Sequence, residues 1–352
     1  MRVSLWRDEA HFLRPVTAAG QRHASRSRCF LAFSHDGVTG YGEVSPQPER
    51  LNGDPSLDDV IDELRHVTVP QLLGVVDREG DAPSWSRINR FVGPRASSNV
   101  AVALVEMALL DRELRAGGTG VRDVWPVSFS TPTQSTVSLL DPPDTWTVLD
   151  DAARVRVKTA PGALDAAAVE RLGSLRVPML LDYNCSATSV EEVRAQVEQI
   201  SAVATLDAVE QPFAAGNVVD HALLARTLDV PISIDEGVRT FRDVQQILRY
   251  EAARMICVKP ARVAGLANAR TLIVRARDAG LAVYLGGFFE SAYARFVHRC
   301  LSEHCVSEPS DLGTVALVAH GESQELEQSG GGFTVAPAAT MLARAEVVGQ
   351  WN

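Results

Sequence analysis

Residues that could do chemistry recur at a nearly constant interval in the second half of the chain. They are Lys158, Asp182, Glu210, Asp235, Lys259 and Gly286. Successive members are 24, 28, 25, 24 and 27 residues apart, which is about the length of one β-strand and its crossover helix. Each member ends or follows a short β-rich run, as Lys259 follows MICV. The spacing therefore predicts that these residues occupy the same end of neighbouring strands and meet at one site.

Three carboxylates in this series have the character of a divalent-cation site. Asp182, Glu210 and Asp235 would end three adjacent strands, and oxygen ligands with room for water and substrate are what Mg²⁺ prefers. Mn²⁺ is the alternative cation. Asn184 follows Asp182 by two residues, so it would point the same way and could join the ligands. The competing interpretation is that each carboxylate only caps a helix or pairs with an arginine, but three in register favour the cation site.

The two lysines would lie on opposite walls of the same site. A lysine that is desolvated near a divalent cation has its ammonium form disfavoured, which makes it a base near neutral pH. Lys158 and Lys259, facing each other across a cation, could remove and return a proton on one carbon from opposite sides. The alternative for each lysine is an ordinary ion pair with a neighbouring carboxylate.

The segments around these residues alternate between strand and helix patterns. Apolar residues three and four apart predict helices over 164–176, 189–201, 240–251 and 265–280. β-rich runs predict eight strands, over 126–130, 153–158, 178–184, 206–212, 231–237, 255–260, 281–287 and 304–309. Strict alternation implies parallel strands with helical crossovers. The fold class is therefore α/β, and eight strands predict a closed (β/α)₈ barrel.

The first 125 residues break this alternation. Residues 28–46 contain two β-rich runs around the turn HDG, and residues 99–117 have the pattern of one long apolar helix. Residues 12–27 are polar, basic and rich in small residues, which predicts a loop. We therefore expect an α+β capping domain over 1–125, the barrel over 126–325, and a C-terminal segment over 326–352 that returns to the first domain.

Composition limits the partners and the location of the protein. The chain has 352 residues, of which 46% are hydrophobic, as expected for a globular protein with a substantial core. Its formal net charge of −10 disfavours nucleic acid and anionic membranes as partners. Five cysteines without a CxxC motif indicate neither a disulfide framework nor a zinc site, and no signal peptide or membrane span is expected. A cytoplasmic protein is predicted, and assembly into a homo-oligomer stays open.

Motifs around the strand ends resemble those of the enolase superfamily. In chain order they are Lys158, LDYN (181–184), VEQP (209–212), IDEG (234–237) and VKP (258–260). GYGEVSP (40–46) and VEMALLD (105–111) are similar to motifs of the family's capping domain. Within the muconate-lactonizing subgroup, the chain is most similar to o-succinylbenzoate synthases and N-succinylamino acid racemases. The motifs of this second resemblance are VKPARVAG (258–265), GGFFESAYAR (286–295) and EPSDLG (308–313).

The resemblance implies an enolase-like modified TIM barrel under a capping domain, and one chemical step. Mg²⁺ would hold a substrate carboxylate while a lysine removes the proton from the adjacent carbon, giving a metal-stabilised enediolate. Lys158 would be the base on one face. Lys259 would either stabilise the intermediate through a cation–π contact, in a synthase, or reprotonate it, in a racemase.

One residue departs from the family's pattern. Where members carry KxK, this chain has Arg156 two residues before Lys158, so the positive charge is kept but cannot usefully deprotonate. Arg262 is either a carboxylate anchor or a surface arginine, and the family's KPxRVGG pattern favours the anchor. Glu236 is expected to point to the opposite strand face and to support the ligands rather than bind the cation.

Two further groups of residues are expected near the substrate. The first group is Gly286, Gly287, Glu290 and Ser291. Its glycines would let the substrate approach the backbone. In this family a loop of the capping domain closes over the barrel mouth, and residues 12–27 occupy the equivalent place. The second group, which would face an anionic substrate from there, is Arg22, Arg26 and Arg28. An ordinary solvated loop is the alternative.

These features predict a Mg²⁺-dependent enzyme that acts on a small-molecule carboxylate. The leading hypothesis is a carbon–oxygen lyase that dehydrates a cyclohexadiene carboxylate to o-succinylbenzoate in menaquinone synthesis. The alternative keeps the site and changes the outcome, to racemisation of N-acylamino acids or cycloisomerisation of a specialised biosynthetic substrate. A non-catalytic binding protein is a third hypothesis, but the intact set of five strand-end residues argues against it.

Overall fold

Two β-sheets form the frame of the part of the protein that the structure describes. The computed structural model describes residues 1–18, 21–130, 132–312, 342 and 345–352. A four-stranded antiparallel sheet belongs to the capping domain, and a seven-stranded parallel sheet forms the barrel. The predicted fold class is confirmed. Within the described part of the chain, no helix is long and apolar enough to cross a membrane. The predicted boundary near residue 325 lies outside the described residues.

The capping sheet is built from both ends of the chain. Its strands, in the order β11-β1-β2-β3, are β1 (Arg2–Ala18), β2 (Gln21–His35), β3 (Val38–Val44) and β11 (Glu346–Trp351). The predicted hairpin joins β2 to β3 through Asp36 and Gly37, which have φ values of 49° and 76°, as a tight hairpin turn requires. Because β11 pairs with β1, the C-terminal segment returns to the first domain as predicted.

A long apolar helix, α4 (Asn99–Gly117), supplies the core of the capping domain over the predicted range. The side chain of Ser98 caps its first turn, and Gly118 ends it in the left-handed conformation. β3 packs closely on α4, since a Cβ on Gly40 would lie 2.2 Å from Ala108 O. The other elements here are α1 (Leu57–Glu63), a π-helical turn (Leu64–Thr68), α2 (Val69–Glu79), a 3₁₀ turn (Trp85–Arg87), α3 (Ile88–Phe91) and α5 (Val121–Val124).

The barrel sheet has parallel strands in sequential order, separated by helices from β5 onward. Its strands are β4 (Thr133–Ser138), β5 (Ala152–Lys158), β6 (Met179–Asp182), β7 (Leu206–Glu210), β8 (Ile232–Ile234), β9 (Met255–Val258) and β10 (Ala282–Leu285). Its helices are α6 (Ala166–Ser174), α7 (Val190–Ser201), α8 (Val218–Thr227), α9 (Phe241–Tyr250), α10 (Leu266–Asp278) and α11 (Ala292–Cys305), with a 3₁₀ turn at Pro143–Thr145. The alternation predicted from periodicity is therefore present over most of the barrel.

The first predicted barrel strand, over 126–130, is wrong. Those residues cross the end of α11, where the backbone N–H groups of Ser128 and Phe129 donate to Glu303 O. The first strand is instead β4, whose side chains are mostly hydroxyls and amides. Its Gln134 accepts a hydrogen bond from Arg154 inside the barrel. A strand that faces a buried guanidinium has no apolar alternation, so the hydrophobic pattern did not reveal it.

The eighth predicted strand, over 304–309, is also wrong. α11 continues to Cys305, and Pro309, which has no N–H group, follows in irregular backbone. A single parallel bridge, Gly286 to Asp311, takes the eighth place, and Asp311 N donates to Leu285 O at 2.7 Å. The side chain of Thr136 on β4 contacts Asp311 from the other side, at 3.4 Å. Residue 311 therefore connects the first and last strands.

Residues 12–18 and 21–27 lie in paired β-strands rather than in the predicted loop. They extend β1 and β2 beyond the sheet, with pairing up to Ala18 and Gln21. The ring of Phe12 lies 5.2 Å from that of Phe289 beside the barrel mouth, and Thr17 Oγ1 donates to Asp141 Oδ1 at 2.7 Å. These parts of β1 and β2 are stabilised by pairing with each other and by contacts with the barrel. Neither kind of contact requires apolar residues at every second position, so the sequence pattern did not predict strands here.

Two buried carboxylates of the capping domain bind the first turns of barrel helices. Glu106, on α4, accepts hydrogen bonds from the backbone N–H groups of Leu266 and Ala267 at the start of α10. Glu43, on β3, accepts hydrogen bonds from the N–H and hydroxyl groups of Ser291, the residue that precedes α11. A helix leaves its first N–H groups without partners inside the helix, so these hydrogen bonds satisfy them and fix the capping domain on the barrel.

Substitution of Gly40 tests the close approach of β3 and α4. Gly40→Ala puts a methyl group against the helix backbone, which cannot move aside as a flexible side chain could. We expect the free energy of unfolding to fall by about 1–3 kcal/mol or more. Chemical denaturation measures the loss. Gly216→Ala, where a Cβ meets nothing within 4 Å, is the control, and an equal loss in both variants would contradict the interpretation.

Replacement of Glu106 tests the pH dependence of domain docking. Burial raises the pKa of Glu106 to about 8, despite its backbone hydrogen bonds. The unfolded chain releases this proton near the ordinary pKa, so the group contributes stability at low pH that is lost as the pH rises toward 8. The loss is about 1.4 kcal/mol per pH unit. Urea denaturation should show that Glu106→Gln loses less stability than the wild type between about pH 5.5 and about pH 7.5.

The matched control for this test is Glu113→Gln, which changes an exposed residue of the same helix. It should retain the wild-type slope of stability against pH. If Glu106→Gln also retained that slope, the titration of Glu106 would not be the cause.

Candidate active site

The structure places the five charged residues of the regular series at one end of the parallel sheet. Lys158, Asp182 and Glu210 are the last residues of β5, β6 and β7, and they are paired in register across those strands. Asp235 and Lys259 each lie one residue beyond the ends of β8 and β9. All five lie at the C-terminal mouth of the barrel, where the spacing argument puts them.

Lys158 and Lys259 are the only lysines in the sequence. The other 32 members of the 34 basic residues are arginines. The spacing argument above does not depend on this count, although the count can be read directly from the sequence. A chain that otherwise uses only guanidinium groups has its two ammonium groups at the mouth of one barrel.

Each of the three carboxylates is fully buried and is paired with a cation of the chain itself. Lys158 Nζ donates to Asp182 Oδ2 at 2.5 Å, and Lys259 Nζ donates to Asp235 Oδ2 at 2.9 Å. The guanidinium of Arg156 donates to both oxygens of Glu210. A buried carboxylate is costly without such a partner, so these pairs determine where the side chains point.

The carboxylates titrate very differently because their partners differ. Burial, together with the neighbouring Asp182 and Asp235, raises the pKa of Glu210 to about 8, although Arg156 opposes the rise. Burial also disfavours ionised Asp235, but Lys259 and Arg262 outweigh it and hold its pKa well below the ordinary value.

The ammonium of Lys259 is stabilised in this structure rather than destabilised. Burial lowers its pKa, but the contact with Asp235 outweighs burial, and the net shift is upward. The sequence argument expected the opposite direction for a lysine beside a bound cation. The difference arises because the carboxylate of Asp235 pairs with the ammonium of Lys259 in this structure and so stabilises the charged form of the lysine.

Arg156 lies at the centre of the cluster. Besides Glu210 it contacts the carboxylate of Asp311, and its Nη1 lies 3.6 Å from Asp182 Oδ2. Its Nε has no hydrogen-bond partner within the described part of the chain. The residue that departs from the family's lysine therefore joins three carboxylates with one fixed positive charge.

Asn184 and Glu236 extend the cluster on the side of Lys158. Asn184 Oδ1 accepts a hydrogen bond from Lys158 at 2.9 Å, and its amide donates to Glu236 Oε1 at 3.2 Å. Asn52 of the capping domain also donates to that oxygen, at 3.3 Å. Glu236 Oε2 is buried and has no hydrogen-bond partner among the described residues. Glu236 therefore reaches the cluster through Asn184, and its Oε2 remains available to accept a further contact.

Arg262 is a buried residue, which excludes the surface alternative. Its Nη1 donates to Asp235 Oδ1 at 2.6 Å, and its Nε and Nη2 donate to Asp54 of the capping domain at 3.0 and 2.7 Å. The arginine is thus committed to two protein carboxylates, and it connects the site to the capping domain.

The residues after β10 are mainly engaged with the protein. A Cβ on Gly286 would lie 2.6 Å from Cys257 Sγ and 2.9 Å from Lys259 Cε, so this position makes room for those side chains. Gly287 faces Glu290, whose carboxylate accepts from Phe288 N at 2.8 Å. Ser291 is fully buried against Glu43. Both Glu290 and Ser291 support the fold around the mouth in this structure.

The three arginines proposed to face an anionic substrate are placed differently. Arg22 is exposed on the hairpin. Arg26 is buried, donates to Ser45 O and Gln47, and lies 5.8 Å from the ring of Phe288. Arg28 is buried and pairs with Asp8.

Four residues that the sequence argument did not select contribute to the cluster. They are Asp54, Cys257, Tyr284 and Asp311. Asp311 lies within the quoted motif EPSDLG, which was the available signal for it. Tyr284 donates from its hydroxyl to Glu210, and it points inward because it is two residues before Gly286. Asp54 is remote in sequence, and only the docking of the domains brings it here.

Comparison with known proteins identifies the family. The profile described as Enolase C-terminal domain-like matches residues 150–328, which is half of the chain. The chain belongs to the enolase superfamily. It is 27% identical over 283 residues to an N-succinylamino acid racemase of Thermus thermophilus, covering 77% of this chain and 73% of the relative. It is 32% identical over 161 residues to an o-succinylbenzoate synthase of Enterococcus faecalis, covering 45% and 43%.

The fold agrees with a solved structure of an enolase-superfamily member from Listeria innocua. The TM-score is 0.80 at 20% sequence identity, and the match covers 99% of this chain and 98% of the other. Enolase-superfamily enzymes remove a proton α to a carboxylate with a divalent cation, typically Mg²⁺. The barrel mouth described above is therefore the candidate site for this step.

The side chains at the mouth fit a divalent cation. Ligand atoms of Glu210, Asp235 and Cys257 lie within 4.8 Å of one another, while Asp182 falls outside this group and is held by Lys158. Mutual repulsion of buried carboxylates contributes to the high pKa of Glu210, and a cation would relieve it. The unpartnered oxygen of Glu236 is a further available donor. The carboxylate oxygens of Glu210, Asp235 and Glu236 are hard donors, which suit Mg²⁺.

Replacement of Arg156 tests how the cluster balances its charge. Arg156→Met keeps much of the apolar volume but leaves Glu210 and Asp311 without their shared cation. Removal of one partner of a buried ion pair costs about 3–5 kcal/mol, so the Mg²⁺-free variant should be less stable by that amount. Added Mg²⁺ should then raise the melting temperature more in the variant than in the wild type, because the cation binds a more negative site.

Thermal unfolding with and without Mg²⁺ measures both effects. Arg249→Met, which changes an exposed arginine of α9, is the matched control and should respond like the wild type. A Mg²⁺ response that was the same in Arg156→Met and the wild type would show that Arg156 does not compete with the cation for the carboxylates.

Proposed function

We propose that this enzyme removes the α-proton of a small carboxylate substrate with Lys158 as base, and that its reaction is the dehydration of a cyclohexadiene carboxylate to o-succinylbenzoate. The observation that carries the proposal is that the only two lysines of the chain lie at the mouth, each against a different buried carboxylate. An arginine supplies charge but does not give up its proton near neutral pH. Both lysines therefore lie where the proposed reaction needs a group that can take or give a proton.

Lys158 is suited to the role of base. Its ammonium is held by Asp182 and Asn184, and 12% of its side chain is exposed, so it is reachable from the mouth. Asp182, Glu210 and Asp235 would hold the Mg²⁺, which supplies positive charge to the substrate carboxylate. Lys158 in its neutral form takes the α-proton, and the electron pair of the broken C–H bond moves toward that carboxylate. In the dehydration, the hydroxyl group of the neighbouring carbon leaves as water with the proton that Lys158 has taken, which returns Lys158 to its neutral form.

Lys259 would act on the other side of the reacting carbon. Its Nζ lies 4.7 Å from the centre of the Phe288 ring and 2.9 Å from Asp235, so its position is fixed by two contacts. In the dehydration it remains protonated and stabilises the negative charge that develops on the substrate. Arg156 keeps a permanent positive charge beside the base without competing for the proton.

The synthase reaction is tested with the purified protein, the cyclohexadiene carboxylate and Mg²⁺. We expect the absorbance of the substrate to fall, and Lys158→Ala should lower kcat by about 10²–10⁴-fold. Lys158→Arg is the matched variant, because it keeps the charge but cannot become a neutral base near neutral pH. It should be as inactive as Lys158→Ala while it still binds Mg²⁺. An active Lys158→Arg enzyme, or an unchanged absorbance with the wild type, would contradict the proposal.

Racemisation of N-succinylamino acids is the alternative outcome at the same site. A second fixed ammonium, Lys259, favours it, and the racemase of Thermus thermophilus is among the relatives reported above. Incubation of each enantiomer in deuterium oxide would show exchange of the α-hydrogen without dehydration. Lys259→Ala should then abolish exchange of one enantiomer first. Exchange of both enantiomers at the wild-type rate in this variant would remove Lys259 from the proton transfer.

A further inference from the structure

Gln211 is a buried residue of the barrel mouth to which the proposed chemistry gives no role. It follows Glu210 at the end of β7 and is fully buried. Its φ of 39° lies in the left-handed region, which residues other than glycine rarely adopt. It also precedes Pro212, and a residue before a proline ordinarily has an extended backbone. Such a conformation persists only where its surroundings hold it, so its reason should lie in what Gln211 contacts.

The side chain of Gln211 binds the turn over 235–237, which carries two acidic residues of the mouth. Its Oε1 accepts hydrogen bonds from the backbone N–H groups of Asp235 at 2.9 Å and Gly237 at 3.1 Å. β8 ends at Ile234, so both N–H groups lie beyond the strand. The amide oxygen of Gln211 therefore takes the place that a neighbouring strand would have, and it holds this turn from inside the protein.

The surroundings of Gln211 determine which end of its amide faces the turn. Its Nε2 donates to Phe213 O at 2.8 Å and lies 3.5 Å from His221 Nε2. His221 Nδ1 lies 2.6 Å from Asn217 O, which can only accept, so the ring proton is on Nδ1 and Nε2 is an acceptor. Burial lowers the pKa of His221 to about 4, which keeps the ring neutral near neutral pH. The NH₂ group therefore faces two acceptors, and Oε1 faces the two N–H groups of the turn.

A movement of this turn would reach both cations that are paired with Asp235. The carboxylate of Asp235 accepts from Lys259 at 2.9 Å and from Arg262 at 2.6 Å. The turn is also tightly packed, since a Cβ on Gly237 would lie 2.9 Å from Ala215 O. Because these charges are buried, their pairing depends on where the backbone places Asp235. Loss of a side chain that only supports such a group typically costs about 10–100-fold in activity.

We propose that Gln211 is a positioning residue of the mouth, which fixes the backbone of Asp235. It acts through its two hydrogen bonds to the turn, and His221 orients its amide for them. Gln211 takes no proton and binds no cation in this role. The inference deepens the proposed function and rests on it only through Asp235. The motif VEQP contains Gln211, but only the structure shows the contact, since Gln211 and Asp235 are 24 residues apart in the chain.

Amide hydrogen exchange of the full-length protein, without substrate or Mg²⁺, tests the contact. Gln211→Met keeps most of the volume and removes the acceptor, so the N–H groups of Asp235 and Gly237 should exchange at least about tenfold faster. His221→Leu, which removes only the acceptor that orients the amide, should accelerate both by a smaller factor. Gln196→Met is the matched control, because Gln196 is another buried amide of the barrel with hydrogen bonds of its own. It should leave both exchange rates unchanged.

Two results would overturn the role of Gln211: unchanged exchange of both N–H groups in Gln211→Met, or an equal acceleration in Gln196→Met. Unchanged exchange in His221→Leu would overturn the part assigned to His221. The wild type gives a readout that does not depend on the folding of a variant. In the deuterated protein, scalar coupling between the amide nitrogen of Asp235 and the side-chain carbonyl carbon of Gln211 reports the hydrogen bond, and its absence would contradict the proposal.

The catalytic readout is α-proton removal with Mg²⁺, measured as the dehydration or as deuterium exchange of an N-succinylamino acid. Gln211→Met should lower kcat by about 10–100-fold, whereas Gln196→Met, assayed well below its melting temperature, should keep the wild-type kcat. An equal fall in both variants would show a general loss of packing and contradict the proposal. If the wild type removed no α-proton, the proposed function would fail, while amide exchange would still decide whether Gln211 holds the turn.

Discussion

Pairing of buried charges inside the barrel is the constraint on which the rest of the structure depends. β5 sends Arg154, Arg156 and Lys158 inward as one column of positive charge. The carboxylates of Asp182 and Glu210, at the ends of β6 and β7, lie against these cations. Asp311, which follows α11, pairs with Arg156. An unpaired charge at such depth costs several kcal/mol, so each member fixes the position of the next. The mouth is therefore organised electrostatically before any ligand arrives.

The same column explains the chemistry of the neighbouring elements. β4 carries hydroxyl and amide side chains because it faces guanidinium groups, and Tyr284 lies 4.8 Å below Arg154 while its hydroxyl reaches Glu210. Arginine occupies the positions where only a permanent charge is needed. The two ammonium groups lie at the rim, about a tenth exposed, where a proton could be exchanged with a substrate. Under the proposed function, Arg156 and Lys158 would therefore have different tasks, although both are cations.

The capping domain contributes to the site through buried polar contacts rather than through one apolar interface. Asp54 holds Arg262, which in turn holds Asp235, and Asn52 reaches Glu236. The hairpin of β1 and β2 places Phe12 on Phe289 at the mouth. Glu43 and Glu106 bind the first turns of α11 and α10. Changes in domain docking would therefore alter the positions of the carboxylates directly.

The sequence by itself determined the α/β class, the hairpin at HDG, the helix over 99–117 and the common end of the chemistry-bearing strands, because periodicity and spacing are local properties. The sequence pattern did not reveal β4, and it wrongly predicted strands over 126–130 and 304–309. The polar side chains of β4 and the end of α11 both depend on contacts across the barrel, which no local pattern shows. Only the tertiary structure decided that Arg156 pairs with Glu210 and Asp311, that Arg262 is buried, and that Cys257 borders the carboxylates. These pairings join residues far apart in the chain, and no local pattern encodes the distance between them.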